Sequence, residues 1–199
     1  MRIFAGLLVL LAACEGGAPS AEAAAPSESR ALATFAGGCF WCTEADFEKV
    51  PGVIAAVSGY TGGRTHNPKY EAVSAGGTGH YEAVRIVYDP RRVSYEALVR
   101  HFFRTVDPLD AGGQFCDRGE SYRTAVFAHD AGQKAAAEAE KARVAKQVGP
   151  VVTPVLPAAR FWPAEGYHQD YYKKNPVRYR YYRYRSGRDA RLKEVWDRK

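Results

Sequence analysis

The chain has 199 residues, 46% hydrophobic and 25% charged, which is enough for one domain with a sizeable core and fits a soluble globular protein. Its net charge of +6 is concentrated at one end: residues 173–199 hold eleven Lys/Arg against three Asp/Glu, a surplus of +8 that leaves −2 for the rest. A basic, tyrosine-rich tail could meet nucleic acid or anionic lipid, but no helix-turn-helix, zinc-finger or RNA-binding signature accompanies it, so a solvated tail wrapped over the domain is preferred.

Residues 1–13 read as an export signal: Arg2 precedes an apolar run too short to span a bilayer as a mature helix. The run ends in "LAAC", residues 11–14, which resembles a bacterial lipobox and implies cleavage before Cys14 and acylation of its thiol and new amino terminus. The alternative is an ordinary secretory signal cut near "AEAAA", which discards Cys14. Both place the mature protein outside the cytoplasm, in the periplasm, where thiols oxidise and need a dedicated reductant. Residues 14–30 then form a flexible Ala/Pro/Ser/Gly tether with a reach on the order of 20 Å.

The domain, 31–199, begins with a strand at 31–36 broken by Gly37-Gly38, then a short helix at 43–50 stopped by Pro51-Gly52. Residues 53–60 predict a second strand, and a loop with Asn67-Pro68 carries Tyr70. A third strand spans 81–88. Ser94 caps a helix whose stripe is Tyr95, Leu98, Val99, Phe102, Phe103 and Val106. A glycine-rich loop at 111–119 feeds a strand at 122–127. Residues 131–148 form an Ala-rich surface helix with Glu138–Lys141 and Glu140–Arg143 spaced for ion pairs, and 151–155 add an edge strand. From Phe161 the chain resists assignment and reads as a long, irregular tail. The order strand-helix-strand-strand-helix-strand predicts an α+β fold with a ferredoxin-like split βαβ two-layer core.

Chemistry concentrates in "GGCFWCTEADF", residues 37–47. Cys39 follows two glycines and precedes a helix, a setting that exposes a thiol and favours its anion, so a lowered pKa and a nucleophilic role are expected rather than an inert core thiol. Phe40 and Trp41 are either core packing or an apolar cage for a small group such as a methyl on sulfur. In strand 81–88, Glu82 shares a face with Val84, Ile86 and Tyr88, so it ends the core-facing row unless the strand end frays into solvent. A half-buried carboxyl there keeps its proton and can act as an acid. Asp117 and Tyr122 flank "CDRGESY"; they and Tyr70 matter only if they converge with Cys39 and Glu82. Structural zinc is disfavoured, because Cys39 and Cys42 have only Cys116 as a third thiol and the five His are scattered.

The segments "GGCFWCTEADFEKVPGV", "SGYTGGRTHNPKYEAVSAGGTGHYEAVRIVYDP", "CDRGESYRTAVF" and "YHQDYYKKNP" resemble the A-type peptide methionine sulfoxide reductases, in order, from about residue 31 to 176. The resemblance implies that Cys39 attacks the sulfoxide sulfur and becomes a sulfenic acid, that Phe40 and Trp41 wall the substrate methyl, and that Glu82 protonates the sulfoxide oxygen. It further implies that Tyr70 and Tyr122 bind that oxygen, and that Asp117 is a buried carboxylate ordering the network. The substrates implied are oxidised proteins or free methionine S-sulfoxide. No bound cofactor or metal is implied, and electrons come from a thioredoxin-like thiol donor.

Many relatives have Gly where Cys42 stands and resolve the sulfenic acid with C-terminal cysteines. This C-terminus has none, and Ser186 stands where some relatives have one. The resolving thiol is therefore Cys42, Cys116 or external; Cys42 is preferred, although Cys116, beside Asp117, should line the same pocket. The chain is expected to act as a monomer without nucleic acid. The rival readings are a thiol–disulfide oxidoreductase using Cys39 and Cys42, and a basic surface module binding lipid or nucleic acid through 173–199.

Overall fold

Five central-strand residues, Ala33, Thr34, Phe35, Ala36 and Gly37, are small or aromatic and fully buried, and they mark the middle of the sheet. In the computed structural model, which describes residues 29–197, this strand is β1 (Ala31–Gly37). It pairs antiparallel with β3 (Tyr81–Tyr88) on one side and β6 (Thr124–Ala128) on the other. The export signal, Cys14 and most of the tether lie outside the described residues. Among the described residues no helix is long and apolar enough to cross a membrane.

Between β1 and β3 come α1 (Phe40–Phe47), β2 (Val53–Thr61) and α2 (Tyr70–Ala75). After β3 come α3 (Tyr95–Thr105) and the small hairpin β4 (Gly113–Gln114) and β5 (Asp117–Arg118). Beyond β6 lie α4 (Ala131–Val148), β7 (Val155–Pro157), β8 (Trp162–Pro163), α5 (Tyr171–Lys174), α6 (Pro176–Arg185) and α7 (Arg188–Trp196). The main sheet has the order β7-β6-β1-β3-β2-β8. Only β6–β7 is parallel, and each helical crossover, β1-α1-β2 and β3-α3-β6, spans one intervening strand. The fold is α+β, as the order of elements predicts.

The core lies between the sheet and α1, α3 and α4. Phe35 stacks on Phe47 at 4.9 Å and on Phe102 at 5.0 Å. The expected α3 stripe is buried throughout, from Tyr95 to Val106. Each such side chain contributes about 1.5–3 kcal/mol by leaving water. Ser94 accepts from the Ala97 N–H at 3.2 Å, as an N-cap should. The 18-residue α4 has the predicted limits and buries Ala137, Glu140 and Val144 against the body.

Four expectations need correction. The first helix starts at Phe40, not 43, because Gly38 takes φ +79° and turns the chain so that the Cys39 carbonyl accepts from Cys42 N–H at 3.1 Å. A Cβ at Gly38 would also lie 2.5 Å from Gln114 Cβ, so glycine is required for backbone and space alike. Tyr70 is not in a loop; it opens α2, and its N–H donates to Glu165 Oε1 at 3.0 Å. The strand expected at 122–127 is displaced to Thr124–Ala128, because residues 120–122 form a single 3₁₀ turn.

The fourth correction concerns the tail, which is helical rather than irregular; it wraps over the domain as expected, with most of α6 exposed. Helices α5 and α6 pack on α1 through irregularly spaced aromatics, and α7 packs on α3 and α4, so no 3.6-residue stripe announces them. Trp41 stacks on Tyr171 at 3.7 Å, and Tyr179 is buried with Cys42 and Ala45. Much of the basic charge is used internally: Arg183 pairs with Asp46 at 2.8 Å and Arg191 with Asp107 at 2.7 Å.

Candidate active site

The glycine turn sets Cys39 at the mouth of α1, over the start of β3. There a small cavity of about 110 Å³ is lined by Cys39, Phe40, Trp41, Tyr70, Glu82, Asp117, Tyr122 and Tyr182. Seven of these are residues singled out in the sequence, and they come from α1, α2, β3, β5 and the 3₁₀ turn.

Glu82 is 3% exposed, and its Oε2 accepts from the Phe40 N–H at 3.0 Å. Burial pushes its pKa up to about 8, with Asp117 and Cys42 adding to the rise against the Phe40 hydrogen bond. The carboxyl is therefore protonated at neutral pH. Burial likewise raises Tyr70 and Tyr122, so both phenols stay neutral donors. A polarised oxygen that accepts from a carboxyl and two phenols suits this set.

Cys39 is 6% exposed, and its thiol is pushed up, not down, by burial first, then by Cys42 and by Glu82 and Asp117. This reverses the expectation drawn from its place before a helix. The reason is local: the first N–H of α1 is directed at Glu82, not at the sulfur. The anion of the thiol pair instead settles on Cys42, through the hydrogen bond from Cys39 and the charges of Arg188 and Arg183, against its burial. Cys42 is fully buried behind Cys39 and does not line the cavity.

Cys116 departs further from expectation. It is exposed in the β4–β5 hairpin turn and does not line the cavity, because the alternation that turns Asp117 inward turns its neighbour out. Asp117 is half-buried rather than buried, and it accepts a short hydrogen bond from the Tyr182 hydroxyl.

Tyr182 was not legible in the sequence; within "YRYYRYR" nothing separates it from its neighbours. It touches Asp117 and is also hydrogen-bonded to Cys39. A supporting ring of hydrogen bonds carries no sequence signal either. The Trp41 indole N–H donates to His168 Nδ1 at 3.0 Å, and the Tyr60 hydroxyl donates to Glu165 Oε2 at 2.9 Å. Glu165 also holds the start of α2, so one loop orients Trp41, Tyr60 and Tyr70 together.

The model of the family described as "Peptide methionine sulfoxide reductase" matches residues 31–199. The chain belongs to this family. The reductase is 52% identical over 173 residues to peptide methionine sulfoxide reductase MsrA of Bacillus subtilis, covering 85% of this chain and 98% of that protein. It is 52% identical over 168 residues to the MsrA/MsrB protein of Vibrio cholerae, covering 82% of this chain but spanning only 44% of that longer protein. Among solved structures, Mxr1 from Saccharomyces cerevisiae in reduced form superposes with a TM-score of 0.71 at 30% identity, covering 77% of this chain and 89% of that one. The reductase is thus an oxidoreductase that returns methionine sulfoxide to methionine by thiol chemistry, a repair reaction.

Proposed function

We propose that the reductase acts on methionine S-sulfoxide, free or in oxidised proteins, with Cys39 as nucleophile and Glu82 as acid. The observation that carries this is one cavity holding the Cys39 thiol, a protonated carboxyl and two neutral phenols beside the Phe40–Trp41 wall. Cys39 sulfur attacks the sulfoxide sulfur while Glu82, with Tyr70 and Tyr122 bonded to the oxygen, delivers a proton to it. The hydroxyl passes to Cys39 sulfur, the thioether leaves, and the Cys39 proton replaces the one Glu82 gave. Phe40 and Trp41 hold the methyl, and Asp117 steadies Tyr182 beside the thiol.

Cys42 then resolves the sulfenic acid. Its burial in hydrogen-bonding contact with Cys39 supports it over Cys116, which is exposed. The disulfide needs two electrons and two protons, supplied by a thioredoxin-like dithiol donor. Reduced enzyme given methionine sulfoxide without donor should release one equivalent of methionine and yield, on peptide mapping, a Cys39–Cys42 disulfide. A Cys39–Cys116 disulfide would leave the activity standing and remove Cys42 from this role.

We also propose that residues 1–13 direct export and that Cys14 is acylated, tethering a monomeric domain to a periplasmic membrane face through residues 14–30. Radiolabelled palmitate should enter the wild-type chain and not Cys14→Ser; equal labelling of both sinks this reading.

A further inference from the structure

Helix α6 has two unlike faces. Its inner face carries Tyr179, buried beside Cys42 and Ala45, and Tyr182, which lines the cavity. The opposite face carries Val177, Tyr181 and Tyr184, which share one side of the helix at i, i+4 and i+7. They are 70%, 68% and 81% exposed, the most exposed large apolar side chains among the described residues. Arg180 borders this stripe on one side, and Arg178 and Arg185 on the other. All three arginines are exposed and bond no group among the described residues. The inward Arg183 differs, because it bonds Asp46 and Asp189.

Charge and size narrow the choice of what meets this face. Residues 173–199 carry a surplus of +8, so two copies brought together here would repel. Three apolar side chains also supply only a fraction of the roughly 1,200–2,000 Å² that a stable protein–protein interface buries. A bilayer surface asks for less. A tyrosine ring sits at the acyl boundary with its hydroxyl among the headgroups, and an arginine stem lies along the apolar edge while its guanidinium meets phosphate.

We propose that the outer face of α6 docks on an anionic phospholipid membrane. Val177, Tyr181 and Tyr184 lie at the headgroup boundary, and Arg178, Arg180 and Arg185 meet the lipid phosphates. One short stripe and three charges make this docking weak, reversible and sensitive to salt. An acyl chain on Cys14 strengthens it by holding the domain near the surface; that part alone rests on the tether proposed above. Because Tyr179 and Tyr182 occupy the inner face of the same helix, docking sets how the active site is oriented to the membrane.

The test uses residues 14–199 carrying Cys14→Ser, which keep every described residue and cannot be acylated at that position. The protein is sedimented with vesicles of phosphatidylglycerol and phosphatidylcholine in equal parts, and with phosphatidylcholine alone. With native α6 it should partition onto the anionic vesicles at least about tenfold better, and lose that advantage near 1 M salt, where the screening length falls to about 3 Å. Arg178→Gln/Arg180→Gln/Arg185→Gln should partition onto the anionic vesicles about tenfold or more weakly, and Tyr181→Ser/Tyr184→Ser should also lose binding. Both variants should reduce free methionine sulfoxide at the wild-type rate, because none of these side chains lines the cavity. Equal binding to both vesicles, or unchanged partitioning in the triple-arginine variant, overturns the proposal. So does a raised KM for a thioredoxin-like donor in the variants when native α6 ignores anionic vesicles, since that assigns the face to a protein partner. Absence of palmitate at Cys14 removes the tether alone and leaves this result standing.

Discussion

Cys39→Ser is expected to lose reductase activity by about 10⁴-fold or more, with the fold intact. Among the three cysteines in the described residues, Cys39 alone lines the cavity, so no other thiol can reach a bound sulfoxide. A serine hydroxyl is a poor nucleophile toward sulfur and cannot become a sulfenic acid. Serine is at the same time well suited to position 39, the N-cap of α1, where no side chain currently caps the helix. Thermal unfolding of Cys39→Ser should therefore match or exceed that of the wild type, separating loss of chemistry from loss of structure. Cys42→Ser should still release methionine once per enzyme but stall before disulfide formation, whereas Cys116→Ser should turn over normally with a dithiol donor. Measurable turnover by Cys39→Ser would end the reading of Cys39 as nucleophile.

Glu82→Gln is expected to lower kcat/KM by about 10²–10⁴-fold while making the protein more stable at neutral pH. Glutamine keeps the acceptor for the Phe40 N–H and can still offer a hydrogen bond, but it cannot deliver a proton. In the wild type, the acid is present below its pKa of about 8, so activity that depends on it falls as pH rises through that value. The residual activity of Glu82→Gln should lack this fall. The stability effect has the opposite sense. Because burial raises the carboxyl in the folded chain above its unfolded value, the carboxyl costs nothing below the unfolded pKa; the cost then grows as pH rises and is complete above about 8. At neutral pH this amounts to about 3 kcal/mol, which the variant recovers. Denaturant unfolding should show the gap between variant and wild type closing as pH falls toward the unfolded carboxyl value of about 4.3. A wild-type rate at neutral pH in Glu82→Gln would remove Glu82 from the proton transfer.

Local pattern made some elements plain. Strand 81–88 was legible at both ends because its alternation is bounded by Gly79 and Asp89-Pro90, and α4 because an Ala-rich run of helix formers, interrupted only by Gly132, lies between Asp130 and Gly149-Pro150. The stripe of α3 and its Ser94 cap were equally local signals. The C-terminal helices lacked such a signal. α6 buries a single residue, Tyr179, and its inward tyrosine and arginine find partners in distant segments, as Arg183 does in Asp46 and Tyr182 in Asp117. The ionisation of Cys39 departs from the sequence expectation for a related reason: a helix N-terminus favours an anion only where its N–H groups are free, and Glu82 already takes the first.

Residue identity and spacing alone were enough for the family and for singling out Cys39, Phe40, Trp41 and Glu82, which the structure brings to one cavity, because short motifs carry those residues. Three things depended on packing across the chain. Tyr182 reaches Cys39 and Asp117, Cys116 faces solvent, and the buried Arg188 donates to the Gly37 carbonyl in the turn before Cys39. Each is a contact, or the lack of one, between segments far apart in sequence, and burial and charge balance at such contacts are properties of the assembled core rather than of any one stretch of chain.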